Sequence, residues 1–203
     1  MMTVHYRAPL NLDRTLDEDG NVTGFPQFEE AERRVAYLYK TKQRLEALPP
    51  QRVVDGDSPT PPEIANFADG LRESLDDDLN MPVALAKLAD FLKAVNELCD
   101  QAMRKKGKAP RQAVDQAAAG FRALATELGV GTESANAVLL RIRDRRAQAR
   151  GLDAATIEKR IAARTEARQS RDFAEADRIR DELASLGVEL LDSAEGTGWT
   201  IAD

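Results

Sequence analysis

The chain has 203 residues, 42% of them hydrophobic, 32% charged and only 5% aromatic, with a formal net charge of -6. That is an ordinary globular balance whose core must be built from Leu, Ala, Val and Ile, which suits helices better than a β-sandwich. A single cysteine, Cys99, and a single histidine, His5, exclude an internal disulfide framework and a Cys/His zinc cluster, so no metal site is expected.

No stretch approaches the roughly 20 apolar residues of a membrane span, and the N-terminus lacks the basic start and apolar run of a secretory signal. A reducing, cytoplasmic setting is the plain expectation. The Asn21-Val22-Thr23 sequon is then a chance match. Net acidity disfavours a generic nucleic-acid binder, and no DNA partner is expected. The charge is uneven, however. Residues 1–80 hold 16 acidic against 9 basic side chains, while residues 141–182 hold 12 basic against 9 acidic. The rear of the chain is therefore the better place for an anionic partner.

In chain order, residues 1–25 read as an irregular lead-in, with turn formers in "DEDGNVTGFP" predicting a loop or tight hairpin. A helix is predicted from about Gln27 to Leu48, with Phe28, Ala31, Val35, Leu38 and Leu45 near one face. "PPQRVVDGDSPTPP" reads as a loop. Thr60, Pro61 and Glu63 mark the next helix start as a hydroxyl cap, a first-turn proline and an acid, followed by an apolar stripe of Ile64, Phe67, Ala68, Leu71 and Leu75. "LDDDLNMP" breaks that helix, and a long one follows to about Met103.

"RKKGKAP" reads as a basic, flexible connector. Helices are then predicted over Arg111 to Leu128, Glu133 to Arg150 and Ala154 to Gln169. Gly129 and Gly151 stop the first two, and Thr132 and Asp153 serve as caps. Asp172 and Glu175 form a further capping pair. The helix they open carries Phe173, Ala176, Ile179 and Leu183 on one side and stops at Gly187. Val188 to Leu191 and Gly198 to Ile201 read as two short strands. The fold class is mostly α: a helical bundle over residues 26–152, then a small α+β module over 153–203 with a short β-hairpin.

The module holds the candidate binding residues. Asp177 lies one turn past Phe173, about 40° round the helix from it. A ring beside a carboxylate suits an unstacked base: the ring is a stacking surface and the carboxylate accepts from an exocyclic amine. Asp192, just past the first strand, adds an acceptor, and Arg168 and Arg171 suit phosphates. From burial habits alone, Phe173 belongs to the core and Asp177 is a solvated or salt-bridged helix residue. Trp199 most simply closes a small core against the last helix.

The stretch "IEKRIAARTEARQSRDFAEADRIRDELASLGVELLDSAEGTGW", residues 157–199, resembles the C-terminal anticodon-binding module of bacterial cysteinyl-tRNA synthetases. "HYRAPLN", residues 5–11, is similar to the segment after that family's KMSKS loop. "LDDDLNMPVALAKL", residues 75–88, is similar to a stretch of its DALR-type helical domain. The resemblance implies that the module reads the GCA anticodon of cysteine tRNA through Arg168, Phe173, Asp177 and Asp192. It implies that His5, Tyr6 and Arg7 lie near the catalytic core and the inside of the tRNA L-shape. Phe173 stands where the family often has tryptophan, and Met81 where it has threonine, leaving Asn80 to cap that helix. Residues 17–26 look like an insertion with no assigned role.

HIGH-type and KMSKS-type motifs and the zinc site are not found. In the family these carry ATP activation and cysteine recognition, so ATP and zinc are expected to belong to a catalytic domain before residue 1, and this chain alone is expected to be inactive, with no catalytic residues and no cofactor. The implied partners are cysteine tRNA and a catalytic synthetase domain. The alternatives are a freestanding tRNA-binding module derived from that enzyme and a protein-interaction scaffold. A natural start at Met1–Met2 favours the first of these, although an excised piece would look the same, and the presence of Phe173, Asp177 and Asp192 disfavours the scaffold.

Overall fold

The computed structural model describes residues 13–56, 58–193 and 196–202. It is mostly helical, and it divides between Leu139 and Leu140 into two compact units, each taken separately below.

The first unit opens with a hairpin of β1 (Thr15–Leu16) and β2 (Val22–Gly24), as the turn formers predict. Asp17 builds its turn by accepting from the backbone N–H groups of Asp19 and Asn21 at 3.0 and 2.8 Å. Helix α1 (Pro26–Glu46) follows. Its buried face is Ala36, Leu38, Tyr39, Thr41 and Leu45, whereas Phe28 is exposed, contrary to the expected stripe. Phe28 packs edge-on against Phe25 outside the core.

Helices α2 (Pro62–Ala65) and α3 (Phe67–Asp76) replace the single helix expected after Thr60, with a break at Asn66. Thr60 does not cap. The Pro61–Pro62 pair holds the chain extended and moves the start to Pro62, with Pro61 itself at the cap position. Helix α4 (Met81–Met103) is capped by Asn80, whose side chain accepts from the Val83 N–H as expected. It forms the centre of the unit, burying Leu88, Phe91, Leu92, Val95, Leu98 and Ala102.

Helices α1, α2 and α3 pack around α4, while α5 (Arg111–Leu128) packs against α2 and α3 and meets α4 at Phe91. Phe91 stacks on Phe67 at 4.1 Å between centroids and meets Phe121 edge-on at 5.2 Å. Gly120 on α5 makes this possible, since a Cβ there would lie 2.7 Å from the Phe91 ring.

The basic connector is held in place and not a free linker. Ala109–Pro110 (β4) pairs in parallel with Val53–Val54 (β3), and Arg52 donates to the carbonyls of Arg104 and Gly107 at 3.2 and 3.0 Å. Gly107 allows the tight approach, for a Cβ there would collide with the Gln101 carbonyl.

Helix α6 (Ala135–Ala149) runs across the division between the units and ends before Gly151, whose φ of 69° stops it. The second unit continues with α7 (Ala154–Gln169), α8 (Phe173–Ser185), β5 (Val188–Ser193) and β6 (Gly196–Ile201). Asp153 and Asp172 cap α7 and α8 by accepting from Thr156 and Glu175 N–H groups. The strands run longer than predicted and pair antiparallel, with Val188 opposite Ile201, Leu190 opposite Trp199 and Asp192 opposite Thr197. Ala147, Ile157, Ile161, Ile179, Leu183, Val188, Trp199 and Ile201 form one apolar core.

Candidate nucleic-acid interface

Alternation along a strand puts Val188, Leu190 and Asp192 on one face of the hairpin, opposite Ile201, Trp199 and Thr197. The first two layers of that face are apolar and the third is polar. Helix α7 supplies the matching gradient. Its buried positions run Ile157, Ile161, Arg164, Ala167, so the apolar stripe contains one arginine. Arg164 is 7% exposed and lies against the polar layer.

There Asp192 is fully engaged. Arg164 donates Nη1 to Oδ1 and Nη2 to Oδ2, both at 3.3 Å, and the Thr197 hydroxyl donates to Oδ1 at 2.7 Å. Arg168, one turn further along α7, reaches Oδ2 at 3.7 Å. The Thr197 hydrogen bond, then the Arg164 pairing, hold the Asp192 carboxyl below the usual carboxylate range. Two sequence-selected residues, Arg168 and Asp192, are thus brought together, and the pair is organised by Arg164 and Thr197, which sequence reasoning passed over. The signal for Arg164 was present: an arginine at an apolar-stripe position implies a buried charge with a partner.

Phe173 is the opposite case. It heads the stripe of Ala176, Ile179 and Leu183, yet it is 61% exposed, so the core assignment is overturned. The Asp172 cap makes Phe173 the first residue of α8. Helical side chains lean towards the N-terminus, and from this position the ring leans past the end of the packed face. The module therefore displays a free aromatic surface. Asp177, one turn on, is ion-paired with Arg180 at 3.1 Å and remains largely accessible. Trp199 is buried in the core as expected, with the Arg143 guanidinium 4.1 Å above its ring centroid.

His5, Tyr6 and Arg7 lie outside the described residues. Among the described residues, no cluster of three or more His, Cys, Asp or Glu side chains could hold a metal ion, and no helix is long and apolar enough to cross a membrane. What the second unit offers is recognition chemistry: a stacking ring, arginines and an accessible carboxylate.

Residues 71–133 match the family described as the DALR domain, and residues 149–199 match the cysteinyl-tRNA ligase anticodon binding domain. The chain is 37% identical over 197 residues to the cysteine–tRNA ligase of Anaeromyxobacter sp. strain Fw109-5, covering 97% of this chain and 37% of the relative. It is 32% identical over 208 residues to that of Geobacter sulfurreducens, covering 99% and 39%. With that of Oleidesulfovibrio alaskensis the identity is 31% over 207 residues, covering 100% and 40%. The chain spans about two fifths of the length of these curated relatives.

Proposed function

The chain belongs to the cysteine–tRNA ligase family, over whose C-terminal part its DALR and anticodon binding domains run, and on that premise we propose that it docks cysteine tRNA and reads its anticodon. The observation that carries the reading is the exposed Phe173 ring inside the stretch matched by the anticodon binding domain. An unstacked anticodon base needs a flat apolar surface, and exposure of a large ring costs free energy that a bound base would recover.

Asp177 supplies an acceptor beside the ring. Arg168 supplies positive charge, and Asp192 sets where that charge sits. ATP and zinc chemistry is assigned to the family's catalytic region, and the residues described here serve only to recognise tRNA.

The test is binding to a cysteine tRNA transcript at low and moderate salt, beside the same tRNA with its anticodon changed. The expected outcome is salt-sensitive binding with a loss on the order of tenfold or more on the changed anticodon. Equal binding to both would reduce the module to a tRNA-backbone binder, and no binding by folded protein would overturn the proposal.

A further inference from the structure

Helices α5, α6 and α8 are each followed by a glycine in the left-handed region, at φ of 66° for Gly129, 69° for Gly151 and 75° for Gly187. Helix α7 ends with the same geometry but without glycine. Arg171 sits there at φ 63°. Its N–H donates to the Arg168 carbonyl at 3.2 Å, and the Asp172 N–H donates to the Ala167 carbonyl at 2.8 Å. That pair of bonds is the Schellman closure, whose left-handed position strongly favours glycine because a Cβ is strained there. Among the described residues, the other non-glycine residues at positive φ, Asp78, Leu79 and Lys106, all lie in the first unit.

Among the described residues of the module, none compensates Arg171 for this strain. Its side chain is exposed, and its guanidinium makes no hydrogen bond or ion pair among the described residues. By contrast, Arg160, Arg164, Arg168, Arg178 and Arg180 of the flanking helices are all ion-paired. Arg171 also lies two residues before the exposed Phe173, so their Cα atoms are no more than about 7 Å apart. A strained backbone position carrying an unengaged charge beside an exposed ring is explained by a ligand that takes up both groups.

We infer that Arg171 is a phosphate-binding residue of the module, gripping the RNA backbone beside the base that stacks on Phe173. This rests on the tRNA-binding reading above. A guanidinium presents paired donors suited to phosphate oxygens, and the phosphate is the part of an RNA that no change of base removes.

The experiment compares Arg171→Gly and Arg171→Lys with the unaltered chain, using the cysteine tRNA transcript and its anticodon-changed form across a salt series, with thermal melts of each protein. Arg171→Gly is expected to melt at the same temperature or higher. It is expected to bind both tRNAs about tenfold more weakly and to lower the slope of log affinity against log salt by about one. Arg171→Lys should retain that slope.

Unchanged affinity and slope in Arg171→Gly would overturn this inference while leaving the tRNA-binding reading intact. So would a loss confined to the GCA transcript, which would mean base reading, or a lower melting temperature, which would mean a structural role. If the unaltered chain binds neither tRNA, both the inference and the reading on which it rests fail.

Discussion

Arg164 on α7 and Asp192 on β5 are locked face to face, each guanidinium Nη atom 3.3 Å from one carboxylate oxygen, with the arginine buried and the aspartate half exposed. The pair fastens the outer end of the hairpin to the helix, beyond the last apolar layer formed by Leu190 and Trp199.

This pairing predicts a pH dependence. The Asp192 carboxyl titrates below its ordinary value in the folded state, because Thr197 and then Arg164 favour its charged form. A group with a lowered folded pKa stabilises the fold above the unfolded value, near 3.9, and loses that contribution as pH falls through the lowered one. Asp192→Asn should therefore be less stable than the unaltered chain at neutral pH, by about 1–2 kcal/mol for a half-exposed partner of a buried arginine. Melting curves taken from pH 7 downward should show that gap narrowing below about pH 4. A gap constant over the whole range would mean that the carboxylate charge contributes nothing to the hairpin's attachment.

Phe173→Ala should separate binding from folding. The ring is mostly exposed, so its loss should shift stability by no more than about 0.5 kcal/mol. Loss of base stacking should weaken binding to cysteine tRNA by about 1–3 kcal/mol. Phe173→Trp should bind at least as well as the unaltered chain, since the indole offers a larger stacking face. Titration of the three proteins with one transcript, beside their melts, checks this. A destabilised Phe173→Ala protein would return the ring to a packing role.

Most helix ends were legible because capping is local chemistry, with Thr60, displaced by the Pro61–Pro62 pair, the exception. Asn80, Asp153 and Asp172 each announce a helix start, and α5 and α7 begin and end where sequence reading set them. Contacts between distant segments were not legible. The parallel pairing of Val53–Val54 with Ala109–Pro110 joins a loop to a connector more than fifty residues away, and neither carries a strand pattern of its own. At the candidate site, helical spacing picked out Phe173 and Asp177, and the family resemblance added Arg168 and Asp192 as separate positions. Neither revealed that Asp192 is engaged by Arg164 and Thr197, which depends on the hairpin register. Nor did either reveal that Phe173 is exposed, because a helical wheel does not show where the packed partner ends.

Trp199→Ala should damage the fold of the second unit directly. The indole is buried in an eight-residue core and lies under the Arg143 guanidinium. Removing it should cost about 3–5 kcal/mol. Arg143→Gln, which removes the guanidinium above the ring together with its ion pairs to Asp144 and Glu158, should cost about 0.5–1 kcal/mol. Thermal unfolding followed by circular dichroism should rank the two variants in that order. A Trp199→Ala protein that melts like the unaltered chain would show that the indole is not a core residue.

Gly120→Ala tests the packing of the first unit. In an exposed helix this change stabilises by roughly 1 kcal/mol, because alanine is the better helix former. Here the new methyl would lie 2.7 Å from Cε2 and Cζ of Phe91 and 3.1 Å from Cδ1 of Phe67, and those two rings are stacked with 14° between their planes. Phe91 is also in edge contact with Phe121, so it has no open side into which to retreat. Helix α5 or the stack must shift, and overpacking of this kind costs about 1–3 kcal/mol, which exceeds the propensity gain. Urea unfolding should show a lower midpoint at an unchanged slope. A raised midpoint would mean that the stack yields easily and that seating α5 against the Phe91 and Phe67 rings does not require glycine.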